Sequence, residues 1–256
     1  MLSAAYTDVG ISKKINQDSC LIKEAVTSNG TILFAAICDG MGGLKNGEVA
    51  SACVVKDLND WFEHSLPVLA YDGFTVNALK QSLNRMIFCA DEKIKNYGKR
   101  KGACGTTLSG VLLAGGRYLT VNIGDSRVYR IGSDCPHQLT HDQTLAQQRA
   151  DEGKITQQEA MTDPGQSVLL QCIGSGGEVV PSYTEGTYEP GAVFFLCSDG
   201  YRHRLSTEEL GHLFSPKKVT TESSMKKALR TGAETVKHRN ERDNITAILL
   251  CTTEHG

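Results

Sequence analysis

The sequence of 256 residues predicts an α+β fold in which helices pack on antiparallel β-sheets. Three observations predict it. Short, nearly continuous apolar runs (Thr31–Cys38, Ala192–Leu196, Ile245–Cys251) read as buried strands. Two longer stretches repeat apolar residues at helical spacing, and Gly-containing turns divide a central region at hairpin intervals. The apolar content is that of an ordinary globular chain and fills one large core. No internal repeat, low-complexity tract or Pro-rich linker divides the sequence. The simplest organisation is a single domain over residues 1–256, with a subdomain inserted at about 144–180.

The elements follow in order. The run Thr31–Cys38 ends abruptly in Asp39-Gly-Met-Gly-Gly43. From Gly47 to Phe62, Val49, Cys53, Val54, Leu58, Trp61 and Phe62 recur at helical spacing; Leu79, Leu83, Met86, Ile87, Ala90 and Ile94 do so between about Thr75 and Tyr97. Strands are expected over Thr106–Ala114, Arg117–Ile123 and Arg127–Ile131, turning at Gly115-Gly116 and at Gly124-Asp-Ser126. That spacing indicates an antiparallel meander. Residues 144–180 are polar and weakly periodic, as two short helices with loops would be. Ser206-Thr-Glu-Glu209 is a capping box opening a further helix, and a last helix precedes Asp243.

Bulk properties exclude several functions. A formal net charge of -2 creates no field favouring nucleic acid or an anionic membrane. The one basic run, Lys99-Arg-Lys101 between Gly98 and Gly102, reads as a solvated loop. Nine cysteines form no C-x-x-C pair, and Cys38, Cys53, Cys89, Cys197 and Cys251 lie in apolar runs as small buried hydrophobes. With no secretory segment and no apolar stretch near eighteen residues, a reducing cytoplasm is the expected location.

The chemistry lies in a repeated device, a buried strand that delivers an aspartate at its end. Asp39 and Asp199 follow apolar strands, Asp243 precedes one, and Asp125 caps a strand. Each Asp-Gly is also a plain turn signal. Together with Asn16-Gln-Asp18 they form a carboxylate set whose repulsion hard divalent cations would relieve, and aspartate oxygens select magnesium or manganese over zinc.

Seven motifs in order, Asn16-Gln-Asp18, Asp39-Gly-Met-Gly-Gly43, Gly105-Thr-Thr107, Gly124-Asp-Ser-Arg127, Leu139-Thr140, Ser198-Asp-Gly200 and Asp243-Asn-Ile-Thr246, resemble those of the metal-dependent type 2C protein phosphatases, in their compact bacterial form. The resemblance spans nearly the whole chain. It implies a four-layer αββα sandwich of two antiparallel sheets flanked by helices, with residues 144–180 as a mobile flap beside the site. It also implies hydrolysis of phosphoserine and phosphothreonine in phosphoproteins, opposite a cognate Ser/Thr kinase, by a hydroxide bridging two Mn2+ or Mg2+ ions. By the same resemblance Asp39 bridges both ions and the Gly40 carbonyl serves the second. Asp199 and Asp243 complete the first, and Asp18 acts on the second largely through water. Asp125 with Asp199 holds a third, weaker ion. Gly42 and Gly43 would let the backbone approach the metal shell.

Two departures stand out. Lys13 occupies the position of the family's phosphate-gripping arginine, keeping the charge but losing the planar fork. Met41 stands where many eukaryotic members carry a histidine able to protonate the leaving group, and Gln143 likewise replaces a frequent histidine. Other routes fare worse. No cysteine has arginine six positions on, no serine sits in G-x-S-x-G, and Ile173–Gly177 lacks the lysine of a nucleotide loop. His203, four residues after Asp199, reads as a surface-loop histidine. The rival from another class is a phosphatase-like module that binds phosphoproteins without cleaving them.

Overall fold

The computed structural model describes residues 1–28, 30–41, 46–71, 75–132, 135–174 and 176–252; Gly42 and Gly43 lie outside them. Ten strands form two antiparallel five-stranded sheets. One contains β1 (Leu2–Asp8), β10 (Ile245–Cys251), β9 (Val193–Cys197), β6 (Arg127–Ile131) and β7 (Pro136–Gln138), in that spatial order. The other runs β2 (Asp18–Thr27), β3 (Gly30–Asp39), β4 (Leu108–Ala114), β5 (Arg117–Ile123), β8 (Ser182–Thr187).

Three apolar clusters correspond to the three interfaces of four layers. Leu33, Ala35 and Ile37 of β3 meet Phe194 and Leu196 of β9 and Ile248 and Leu250 of β10 between the sheets. The alternate β3 residues Phe34, Ala36 and Cys38 face α1 (Gly47–Asp60) and α3 (Val76–Lys101). Val193, Phe195 and Cys197 face Met225, Leu229 and Val236 of α8 (Glu222–His238). Both faces of each central strand are therefore covered, which is why these strands read as continuous apolar runs rather than alternating ones.

Helix α1 does not stop at Phe62. It passes through a wider turn at Trp61–Ser65 into α2 (Leu66–Tyr71). Helix α3 runs past Tyr97 to Lys101, so Lys99-Arg-Lys101 is a last helical turn, not a loop. Three cations there complement the negative end of the helix, and Gly102 ends it at φ 103°. Cys38, Cys197 and Cys251 are buried as expected, but Cys53 is half-buried and Cys89 exposed, on the outer face of α3.

The expected meander breaks at Gly124-Asp-Ser126. Gly115 and Gly116, both at positive φ, close a β4–β5 hairpin, but β6 pairs with β9 in the opposite sheet. The 124–126 turn is a corner between sheets. Gly124 has φ +97°, and a Cβ there would lie 2.6 Å from Thr107 Cγ2.

Between β7 and β8 lie α4 (Leu145–Asp151), α5 (Gln157–Ala160) and a short 3-10 turn at Pro164–Ser167, matching the two expected short helices. Then come α6 (Asp199–Arg202) and α7 (Thr207–Leu213), the latter opened by the Ser206–Glu209 capping box. Among the described residues no helix is long and apolar enough to cross a membrane.

Candidate active site

Strand β3 carries Asp39 to one end of the sandwich. Its N–H donates to Thr107 Oγ1 at 3.0 Å, and its carbonyl accepts from the Thr107 N–H and the Thr106 hydroxyl. Thr107 Oγ1 also lies 2.9 Å from Ser126 Oγ. The strand end bearing Asp39 is thereby tied to the corner bearing Asp125. Ser109, bonded to Asn122 and to the Ser126 carbonyl, buries the base of that corner. Gln143 braces it from outside: its Oε1 accepts from the Gly124 N–H at 2.8 Å. Gly40 follows Asp39 and packs so tightly that a Cβ would lie 2.5 Å from both the Gln17 and Gly47 carbonyl oxygens.

Asp18 opens β2 as the register partner of Asp39. It is buried, and neither of its carboxylate oxygens has a hydrogen-bond partner. Burial, joined by the charges of Asp199 and Asp243, pushes its pKa up to about 7, while the nearby Thr246 and Ser198 hydroxyls temper the rise. Asp39 is raised well above the usual carboxylate range, by desolvation and then by Asp18, Asp199, Asp125 and Asp243. Asp125 rises to about 7 through burial and Asp199, with Arg202 opposing. Asp18, Asp39 and Asp125 are thus buried acids for which joint ionisation is costly.

Asp199 opens α6 directly after β9, and its Oδ1 is buried without a partner. Asp243 precedes β10; its Oδ1 accepts from the Asn244 N–H at 2.8 Å and lies 3.0 Å from Lys13 Nζ. Partial burial works against the Lys13 charge, but Asp243, then Asp39 and Asp199, hold its pKa above the ordinary value. Asn244 fastens the loop that carries Lys13. Its Oδ1 accepts from the Gln17 N–H at 2.9 Å, and its Nδ2 donates to the Val9 and Ile15 carbonyls.

Lys13, Asp39, Asp125, Asp199 and Asp243 line one cleft of about 610 Å³, with Met41 on its wall and residues 167–172 along its far side. Asp18, buried beside Asp39 on the neighbouring strand, is not part of the cleft lining. Among the described residues, the three side chains whose candidate ligand atoms all come within 4.8 Å of one another are Asp125, Asp199 and His203. Buried carboxylate oxygens lacking donors, on Asp18 and Asp199, are a donor set suited to hard divalent cations.

Residues 11–250 match the sequence profile described as protein phosphatase 2C. The chain belongs to that family. It is 28% identical over 250 residues to the serine/threonine phosphatase Stp of Listeria innocua, covering 95% of this chain and 93% of that protein. Its fold superposes on the serine/threonine phosphatase Stp1 of Staphylococcus aureus with a TM-score of 0.84 at 27% identity, over 99% of this chain and 96% of that one. It also superposes on the catalytic domain of the serine/threonine phosphatase PstP in complex with two manganese ions, with a TM-score of 0.77 at 27% identity over 98% of each chain.

Of the residues singled out in this phosphatase from sequence, Lys13, Asp39, Asp125, Asp199 and Asp243 share the cleft, while Asp18 and Gly40 flank it. The supporting roles of Thr107, Ser126, Asn244 and Gln143 are not legible from residue types. Each lies in or beside a motif, but only the fold shows that they brace its carboxylates. His203 is an exposed turn residue, as expected, and its Nδ1 lies 3.9 Å from Asp199 Oδ2.

Proposed function

We propose that this protein phosphatase cleaves phosphoserine and phosphothreonine in phosphoproteins. The observation that carries the reading is the convergence of five aspartates on one end of the sandwich, with donor-free buried oxygens on Asp18 and Asp199. Asp39 would contact both of two Mn2+ or Mg2+ ions, Asp199 and Asp243 the first, and the Gly40 carbonyl and, through water, Asp18 the second. Asp125 with Asp199 would serve a third. The ions would supply a bridging hydroxide near neutral pH and neutralise phosphoryl charge.

The chain's own residues do the positioning. Lys13, held over Asp243, offers an ammonium to a phosphoryl oxygen at the cleft mouth. The Thr107–Ser126 link sets the distance between Asp39 and Asp125, and strand-end placement keeps these acids rigid. Residues 144–180 act as a flap over the far side, limiting water around the phosphoryl group. In the cell, we propose, the enzyme opposes a Ser/Thr kinase in the cytoplasm.

Substrate class is tested by kcat/KM on a phosphothreonine peptide against small phosphate monoesters of similar leaving-group pKa. A peptide preference supports the reading. Equal or greater activity on the small esters assigns the site to small-molecule substrates instead.

A further inference from the structure

We propose that Asp125, Asp199 and His203 form a mixed oxygen–nitrogen site for a transition-metal dication, with the His203 imidazole as a direct ligand. This extends the third-ion role of Asp125 and Asp199 without depending on catalysis. A site of aspartates alone would favour magnesium; adding an imidazole changes which metal it prefers.

The geometry rests on two elements. Asp199 begins α6 and His203 follows its last residue, so the two are four positions apart and stack on one face of the turn. This is the spacing by which helical metal sites present paired ligands to one ion. Asp125 arrives from the corner between the sheets, fixed by the Thr107–Ser126 and Gln143 contacts. All three candidate ligand atoms lie within 4.8 Å of one another.

The His203 Nδ1 to Asp199 Oδ2 distance of 3.9 Å is too long for a hydrogen bond. Ligands about 2.0–2.2 Å from one metal lie roughly 3–4 Å apart. Closing the set on an ion therefore takes side-chain shifts below about 1 Å. The exposed His203 ring has Asp199 as its charged neighbour and is free to turn toward an ion, while Asp199 Oδ1 is buried without a donor. Arg202 is the opposing charge, 3.5 Å from Asp125 Oδ2 and bonded to the Asp125 carbonyl. That neighbour makes the site weaker than an uncontested one for any dication, so the preference for a transition metal comes from the imidazole alone.

The test reads metal ligation without substrate. Protein titrated with Mn2+ is examined by electron spin-echo envelope modulation, which detects imidazole nitrogen bound to the ion. Wild type is expected to show imidazole modulation as the weaker Mn2+ equivalent fills, changing to the 15N pattern when histidine is 15N-labelled. His203→Ala should abolish the modulation and weaken that Mn2+ equivalent at least tenfold by calorimetry, leaving Mg2+ binding unchanged. No imidazole modulation in wild type at saturating Mn2+, or modulation retained in folded His203→Ala, overturns the proposal. The labelled wild type keeps the test decisive if the variant does not fold. Either failure leaves phosphatase activity, measured separately, as it was.

Discussion

Asp18 and Asp39 face each other as register partners where β2 and β3 reach the cleft, two carboxylates on neighbouring strands. Such a like-charged pair destabilises a sheet end. Here Asp18 is buried with both oxygens donor-free, and it titrates at about 7. Its role as a cation ligand would explain why that arrangement is kept.

The pH dependence of the metal-free protein follows. Asp18 and Asp125 each have a folded-state pKa of about 7, above the ordinary 3.8. Groups raised in this way favour the fold fully below about pH 4, and lose that contribution as pH rises through about 7. Metal-free protein should therefore lose thermal stability between pH 5 and pH 8, and Mn2+ should raise Tm more at pH 8 than at pH 5. Asp18→Asn should raise the metal-free Tm at pH 8, on the order of 5 °C. Calorimetric scans with and without EDTA at the two pH values check this; an equal Mn2+ effect at both contradicts it.

Lys13 bears on substrate rather than on folding. Its single ammonium lies 3.0 Å from Asp243 and lacks the two parallel donors of a guanidinium. Lys13→Arg should raise kcat/KM for a phosphopeptide by up to about tenfold, and Lys13→Ala should lower it by a similar factor. Unchanged kcat/KM in both variants would remove Lys13 from phosphate positioning.

Asn244 supports Lys13 indirectly. It is buried and makes three hydrogen bonds to the 9–17 loop. Asn244→Ala should cost roughly 2–3 kcal/mol in urea unfolding, since it strands backbone groups without partners. It should also raise KM for phosphopeptide more than it lowers kcat. A kcat loss at constant KM would place its effect on the metal ligands instead.

Met41, on the cleft wall, has no proton to give a departing alkoxide. Single-turnover hydrolysis of an aryl phosphate should outpace that of phosphoserine by at least about 10²-fold, the lower end of what a general acid contributes. Equal rates would mean another group protonates the leaving oxygen.

The central strands were legible in the sequence because both faces of each are covered. Strands β1, β2, β7 and β8 were not, and they are the four sheet edges. Edge strands are partly solvated, so Lys23 and Glu24 interrupt β2 and no apolar run announces it. Turn chemistry also misled at Gly124-Asp-Ser126. A glycine at positive φ marks a reversal but does not say whether the chain returns to the same sheet. At the site, carboxylates at strand ends were readable from residue type and position. The Thr107–Ser126 link and the Asn244 clamp were not, because they join segments 19 or more positions apart that only the sandwich brings together.

The most direct measurement is phosphate release from a phosphothreonine peptide by wild type and Asp199→Ala, each with Mn2+ and after EDTA. The account predicts release by wild type that requires Mn2+, stops with EDTA, and falls at least 10³-fold, by rough estimate, in folded Asp199→Ala. Release that persists in EDTA or in Asp199→Ala would contradict the metal-carboxylate site. No release from folded wild type with any divalent metal would contradict the enzymatic reading and favour a module that binds phosphoproteins without cleaving them.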